Sequence, residues 1–258
     1  MLLTVDVGNT HTVVGGYDAD KLLFMWRIST EKDRTEDEIR AKLNSMFTSG
    51  EYSAQDVEGV ALASVVPALT QAWVKANKDL FGCDTFVCTA ETTKGLFIAD
   101  YPNPHEIGSD RVADAIGALH CYGYPVVIVD FGTATNIEVI DNRGQFVGGI
   151  IAPGIESSAR ALFSAASKIA AIELVAPEHV IGTSTETAVQ SGIVFGEVGR
   201  VDGLLEGIFA QLGYRCPVVA TGGQARVITK YSKVITDVNP QLTLIGLKLA
   251  YEYAQAAL

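Results

Sequence analysis

One short pattern occurs twice in the chain, near positions 6 and 130, and this repetition constrains the fold more than any other feature. The first copy is Leu2-Leu3-Thr4-Val5-Asp6-Val7-Gly8-Asn9-Thr10. The second is Val126-Val127-Ile128-Val129-Asp130-Phe131-Gly132-Thr133-Ala134-Thr135. In both, an apolar, largely β-branched run ends in Asp-x-Gly and small polar residues follow. A second apolar run comes next (Val13-Val14, or Ile137 to Ile140), then a polar turn and a third apolar stretch. The pattern predicts a strand, a tight glycine turn, a returning strand, a polar turn and a third strand, built twice.

Helical and strand-like segments alternate between and beyond the two copies. Ile39, Leu43 and Met46 recur at helical spacing, so a helix is expected over about 36–49. Val57 to Val66 reads as a strand stopped by Pro67, Thr70 to Leu80 as a helix, Phe86 to Cys88 as a short strand, and Gly95 to Pro104 as an irregular loop. A helix is expected from Asp110 to Tyr122, a strand over Gly148–Gly154, and helices over Ile155–Ser167 and Glu186–Leu212. Val218 to Ala220 should be a strand, followed by a glycine turn at Thr221-Gly222-Gly223 and a closing helix over Leu242–Ala257. Mixed elements in this order, made twice, indicate an α/β chain of two similar halves, 1–123 and 124–258.

Composition excludes several classes. The 258 residues are 48% apolar, enough to bury a substantial core. No apolar run approaches the roughly 20 residues that span a membrane. The net charge of −11 opposes binding to a nucleic-acid backbone, which needs a basic stripe. Cys83, Cys88, Cys121 and Cys216 lack metal-ligand spacing and read as reduced thiols. With no signal-like start, the expectation is a cytoplasmic protein.

Successive backbone N–H groups in a tight turn make a concave anion site, and Gly8, Asn9, Thr10 and His11 offer such a turn. A plain β-hairpin would use the same Gly-Asn, but the second copy and the Gly222-Gly223 turn favour phosphate binding. His11 is expected to contribute its N–H and its packing rather than acid–base chemistry. The usual Gly-x-x-x-x-Gly-Lys-Ser/Thr phosphate loop does not occur in the sequence. Asp6, at a strand end beside the turn, is placed to bind Mg²⁺ directly or through water. Asp110 follows a glycine and opens a helix; read alone, it is a helix cap.

Repeated Asp-x-Gly hairpins resemble the superfamily of acetate and sugar kinases, Hsp70 and actin. The chain is similar, nearly end to end, to type III pantothenate kinases. The resemblance is carried by Asp6-Val-Gly-Asn-Thr-His-Thr-Val13, Trp26-Arg27 with Arg34-Thr35-Glu36-Asp37-Glu38, Ser64-Val-Val-Pro67 and Tyr101-Pro-Asn-Pro104. It continues through Gly108-Ser-Asp-Arg111, Asp130 to Thr135, Gly148 to Gly154 and Thr221-Gly-Gly223. It implies two tightly packed ribonuclease-H-like halves with the active site in the cleft between them. It further implies transfer of a phosphoryl group from ATP to pantothenate, the first step towards coenzyme A.

The resemblance also assigns residues. Asp6, Val7, Gly8, Asn9, Thr10, His11, Thr12, Val13 and Thr133 would bind ATP. Asp110 would be the catalytic base, and Tyr101, Gly108, Ser109, Asp110 and Arg111 would contact pantothenate. Asp130 would hold potassium or ammonium, although a second Mg²⁺ carboxylate paired with Asp6 is the alternative. Thr185 would reach a neighbour's substrate in a homodimer with shared active sites; its segment reads Gly-Thr-Ser-Thr where Gly-Arg-Asn-Thr is more usual. Loop packing for Tyr101, a surface ion pair for Arg111 and helix capping for Thr185 remain open. ATP and pantothenate are the expected partners, with no nucleic acid and no membrane. A regulatory nucleotide-binding protein, or a kinase of another small hydroxylated acid, are the competing readings.

Overall fold

The structure, a computed structural model, describes residues 1–166 and 171–256. Ser167 and Ala257, the expected ends of two helices, lie outside the described residues. The chain forms two units, residues 1–120 with 242–258, and residues 121–241.

In the first unit, β1 (Leu2–Val7), β2 (His11–Asp18) and β3 (Lys21–Ser29) form an antiparallel meander. β4 (Gly59–Ser64) and β5 (Thr85–Val87) extend it in parallel, giving the order β3-β2-β1-β4-β5. The second unit repeats the plan with β6 (Val126–Phe131), β7 (Ala134–Ile140), β8 (Phe146–Pro153), β9 (Val218–Thr221) and β10 (Asp237–Val238). Read from β8, its order is β8-β7-β6-β9-β10, the same three antiparallel and two parallel strands. The duplication read from the sequence is thus a duplication of topology. β10 was not legible in the sequence, being only two residues long.

Helices supply the other layers. α1 (Glu36–Ser49) starts on a capping box: Thr35 and Glu38 satisfy each other's backbone N–H. The Thr35 and Glu38 of the Arg34–Glu38 motif therefore have a structural use. α2 (Pro67–Phe81) begins at Pro67, which was expected only to stop the preceding strand. Proline suits a first helical position, where its missing N–H has no partner to lose. α1 and α2 cover the first sheet, closing a core of Leu3, Val5, Leu43, Phe47, Leu62 and Trp73. Each such side chain, fully buried, contributes about 1.5–3 kcal/mol. α3 (Ser109–Tyr122) follows.

In the second unit, α4 (Ile155–Ala165) and α5 (Thr185–Leu212) pack with β6, β7 and β9 around Val129, Phe131, Ile137, Val201 and Leu205. α6 (Ala225–Ile228) is a single turn.

The closing helix α7 (Leu242–Ala256) departs from the expected division at 123/124. It belongs to the first unit and packs on β1 and β4. Leu244 meets β2 at Gly15, Tyr251 meets Gly59, and Lys248 Nζ pairs with Asp20 at 2.8 Å. These partners are more than 190 residues away in sequence, beyond the reach of any local pattern.

Candidate active site

In the first unit, Asp6 pairs with Val13 and Val7 with Thr12, leaving Gly8, Asn9, Thr10 and His11 as the loop. Gly8 N donates to His11 O at 3.0 Å and closes the turn. The Gly8 N–H expected to face an anion is therefore spent internally. Thr30 N holds Thr10 O at 2.9 Å. Thr12 is 1% exposed and its hydroxyl shares a hydrogen bond with that of Thr30, so its side chain serves the core. Asp6 is half-buried at the strand end, and Asn9 and His11 are exposed.

The first turn of α3 is tied to this hairpin through β4. Val65 N donates to Val7 O at 3.1 Å, and the preceding amide, Ser64 N, donates to Ser109 Oγ at 2.8 Å. Ser109, expected as a substrate contact, thus spends its side-chain oxygen on the end of β4. Asp110 lies inside the helix rather than at a cap position, and its Oδ1 accepts Arg111 N at 2.8 Å. A Cβ on Gly108 would stand 2.5 Å from that same Oδ1, so only glycine leaves the carboxylate in place. Burial raises the Asp110 carboxyl above its ordinary 3.8, opposed by the Arg111 N–H and guanidinium. Arg111 and Tyr101 are half-buried, Tyr101 in the irregular segment ahead of the Pro104–Glu106 turn.

In the second unit, Phe131 pairs with Thr135, so the loop is one residue shorter: Gly132, Thr133, Ala134. Gly132 N closes it onto Ala134 O at 3.0 Å. Thr133 O accepts both Gly154 N at 3.1 Å and Ser157 Oγ at 2.7 Å. Asp130 faces the Thr221–Gly222 turn. A Cβ on Gly222, whose φ is +88°, would stand 2.3 Å from Asp130 Oδ1 and 2.6 Å from Phe131 O. A carboxylate and a carbonyl oxygen thus converge on one bare backbone position. Gln224 Nε2 bonds Glu156 Oε1 at 3.0 Å beside this turn. Thr185 is exposed as the first residue of α5; the cap is Ser184, in a box with Thr187, so capping does not account for Thr185. Ser64 was quoted only as part of a motif, without a role, and Thr30, Ser157 and the Gln224–Glu156 pair were given none. The position of Thr30 and Gly154, each just after a third strand, was the available signal.

Two units of one topology, each with an Asp-x-Gly hairpin, define the actin-like, ribonuclease-H-like class that includes sugar kinases. A ROK hexokinase from Thermus thermophilus shares the fold with a TM-score of 0.50 at 13% identity, over 99% of both chains. A conserved Baf family chain from Campylobacter jejuni does so with a TM-score of 0.60 at 17% identity, over 98% of this chain and 99% of that one. Sequence narrows the class. The chain belongs to the type III pantothenate kinase family, whose model matches residues 2–207. It is 44% identical to the type III pantothenate kinase of Roseiflexus castenholzii across 98% of both chains.

The raised Asp110 carboxyl sets a stability test. A carboxyl raised on folding contributes stability that is present below its unfolded value of about 3.8 and is lost as pH rises through the folded value. Asp110→Asn cannot ionise. Its advantage over the wild type in chemical denaturation should be small below pH 3.8, grow as pH climbs above that, and be largest near neutrality. An Asn variant less stable than wild type at pH 7 would contradict the burial argument.

Proposed function

We propose that the chain transfers the γ-phosphoryl group of ATP to the 4′-hydroxyl of pantothenate, in the cytoplasm, as the first step of coenzyme A formation. The observation that carries this reading is Asp110: a carboxylate with its proton affinity raised, held by the end of β4 that also holds the Asp6 hairpin. Phosphoryl transfer to an alcohol needs phosphates held in place, their charge offset, and a group to accept the hydroxyl proton. Asp110 is that acceptor. The Arg111 guanidinium suits the pantothenate carboxylate, with Tyr101, Gly108 and the Ser109 backbone completing the substrate contacts.

The hairpin from Asp6 to Val13 and the Thr133 loop hold the nucleotide. Among the described residues no three His, Cys, Asp or Glu side chains gather as a metal cage. That fits Mg²⁺, which is commonly held by one or two carboxylates together with the substrate's phosphate oxygens. Asp6 is the carboxylate, and the ion would supply charge neutralisation. Asp130 and Phe131 O, flanking Gly222, offer hard oxygen donors to potassium or ammonium. Among the described residues no helix is long and apolar enough to cross a membrane. Thr185, exposed and not needed as a cap, serves the substrate of a second copy in a two-fold homodimer.

Three measurements test this. Purified protein with ATP, Mg²⁺, potassium and pantothenate should form 4′-phosphopantothenate, and Asp110→Asn should lose about a hundredfold or more in turnover while still binding pantothenate. Full activity in that variant removes Asp110 as base.

Turnover should also fall sharply when potassium is replaced by sodium, and Asp130→Ala should lose both that dependence and most activity. Equal rates in the two salts would count against the monovalent site.

Finally, sedimentation at assay concentration should give a dimer. A fully active monomer would remove Thr185 from the site.

A further inference from the structure

After α3 the chain leaves the first unit, builds residues 121–241 as the second, and returns as α7. α7 touches both parts of the first unit's candidate machinery. On one side it packs on β1 and β4, and Leu244 Cδ1 lies 2.8 Å from where a Cβ on Gly15 of the hairpin strand would stand. On the other side it crosses α3 backbone to backbone. A Cβ on Gly246 would stand 1.8 Å from Ala113 O, and one on Gly117 2.5 Å from Leu242 O. At this crossing Thr243 Oγ1 donates to Asp114 Oδ1 at 2.6 Å, and Asp114 is 1% exposed. Asp114 lies one helical turn beyond Asp110 on the same face of α3.

We infer that α7 is the spacer that fixes Asp110 against the Asp6 hairpin, with Thr243 and Asp114 as positioning residues for the transfer step. The inference rests on Asp110 acting as the base. The glycine crossing leaves no room for the two helices to approach further, but it does not by itself stop one from sliding along the other. The Thr243–Asp114 hydrogen bond, short and made to a carboxylate, supplies that stop. Its effect falls on the orientation of the Asp110 carboxylate at the moment of transfer, where a misplacement of about 1 Å costs on the order of a hundredfold in rate.

Thr243→Val removes the donor at nearly constant volume. We expect kcat to fall about tenfold, part of the loss that full misplacement gives, with KM for ATP and for pantothenate staying within about twofold. Thr243→Ser should restore kcat. In an Asp110→Asn background, Thr243→Val should cause no further loss, because the group it positions is gone. Wild-type kcat in Thr243→Val, a rise in KM alone, or an additional loss in the Asp110→Asn background would each overturn the positioning role. If the valine variant fails to fold by circular dichroism, Thr243→Ala is read by the same criteria. A wild type that forms no phosphopantothenate overturns the kinase reading instead, so the two failures are distinct.

Discussion

Two consecutive backbone amides at the end of β4 organise the first unit. Val65 N reaches Val7 O at 3.1 Å, where β1 runs into the hairpin loop, and Ser64 N reaches Ser109 Oγ at 2.8 Å, where α3 begins. Successive amides in extended chain point to opposite sides, so one rigid stretch of backbone spans the gap between loop and helix. β5 makes the second bond necessary. The strand ends at Val87, and Cys88 N to Leu62 O at 2.8 Å is the last bond continuing its ladder. Ser64 N lies beyond that ladder. Ser64 is half-buried, and the Ser109 hydroxyl satisfies its N–H while anchoring the helix that carries Asp110.

The same anchoring has an electrostatic consequence. A carboxylate held at a helix start beside Arg111 would ordinarily be an easily ionised group. Burial overrides that and lifts its proton affinity. A base is more effective as its pKa moves towards the working pH, so the environment that weakens the fold would strengthen Asp110 in its proposed role as proton acceptor. This is the usual exchange between stability and activity. The Arg111 N–H and guanidinium keep the shift within limits, because both favour the ionised form.

Much of what depended on local pattern was legible in the sequence. The apolar, largely β-branched runs gave β1, β2, β6 and β7, and the spacing of Ile39 and Leu43 gave α1. The Asp-x-Gly repeat gave both hairpins, because glycine and strand-end aspartate are constrained by the turn itself. Features set by distant partners were hidden. The family resemblance named Ser109 as a substrate contact, but the hydrogen bond its oxygen accepts from Ser64 N, 45 residues earlier, was not legible. Gly8 was expected to offer its N–H outward, but closing the loop consumes it. Pro67 was read as a terminator when it was the start of α2, since proline ends strands and begins helices by the same missing N–H. The membership of α7 in the first unit rests on Gly15, Gly59 and Asp20, none of which announces a helix from the far end of the chain.

The two units also show how one scaffold can take on unequal tasks. Thr12 and Thr135 occupy equivalent registers opposite the residue after the aspartate, and both are buried. Thr12 pairs with Thr30, whereas Thr135 donates to Glu197 at 2.6 Å, a carboxylate that also binds Arg200. The residue after the third strand reaches back to the loop in both units, as Thr30 N to Thr10 O and Gly154 N to Thr133 O. From there they diverge. The first unit runs through residues 31–35 before α1 starts, and its hairpin loop keeps four residues. The second passes straight into α4, whose Ser157 adds another bond to Thr133 O, and its loop keeps three. The shorter loop is thus held by one more donor than the longer one, and Asp130 Oδ1 and Phe131 O beside it face Gly222. Both loops are proposed to hold the nucleotide; the second alone adds, through Asp130, a proposed monovalent-cation site.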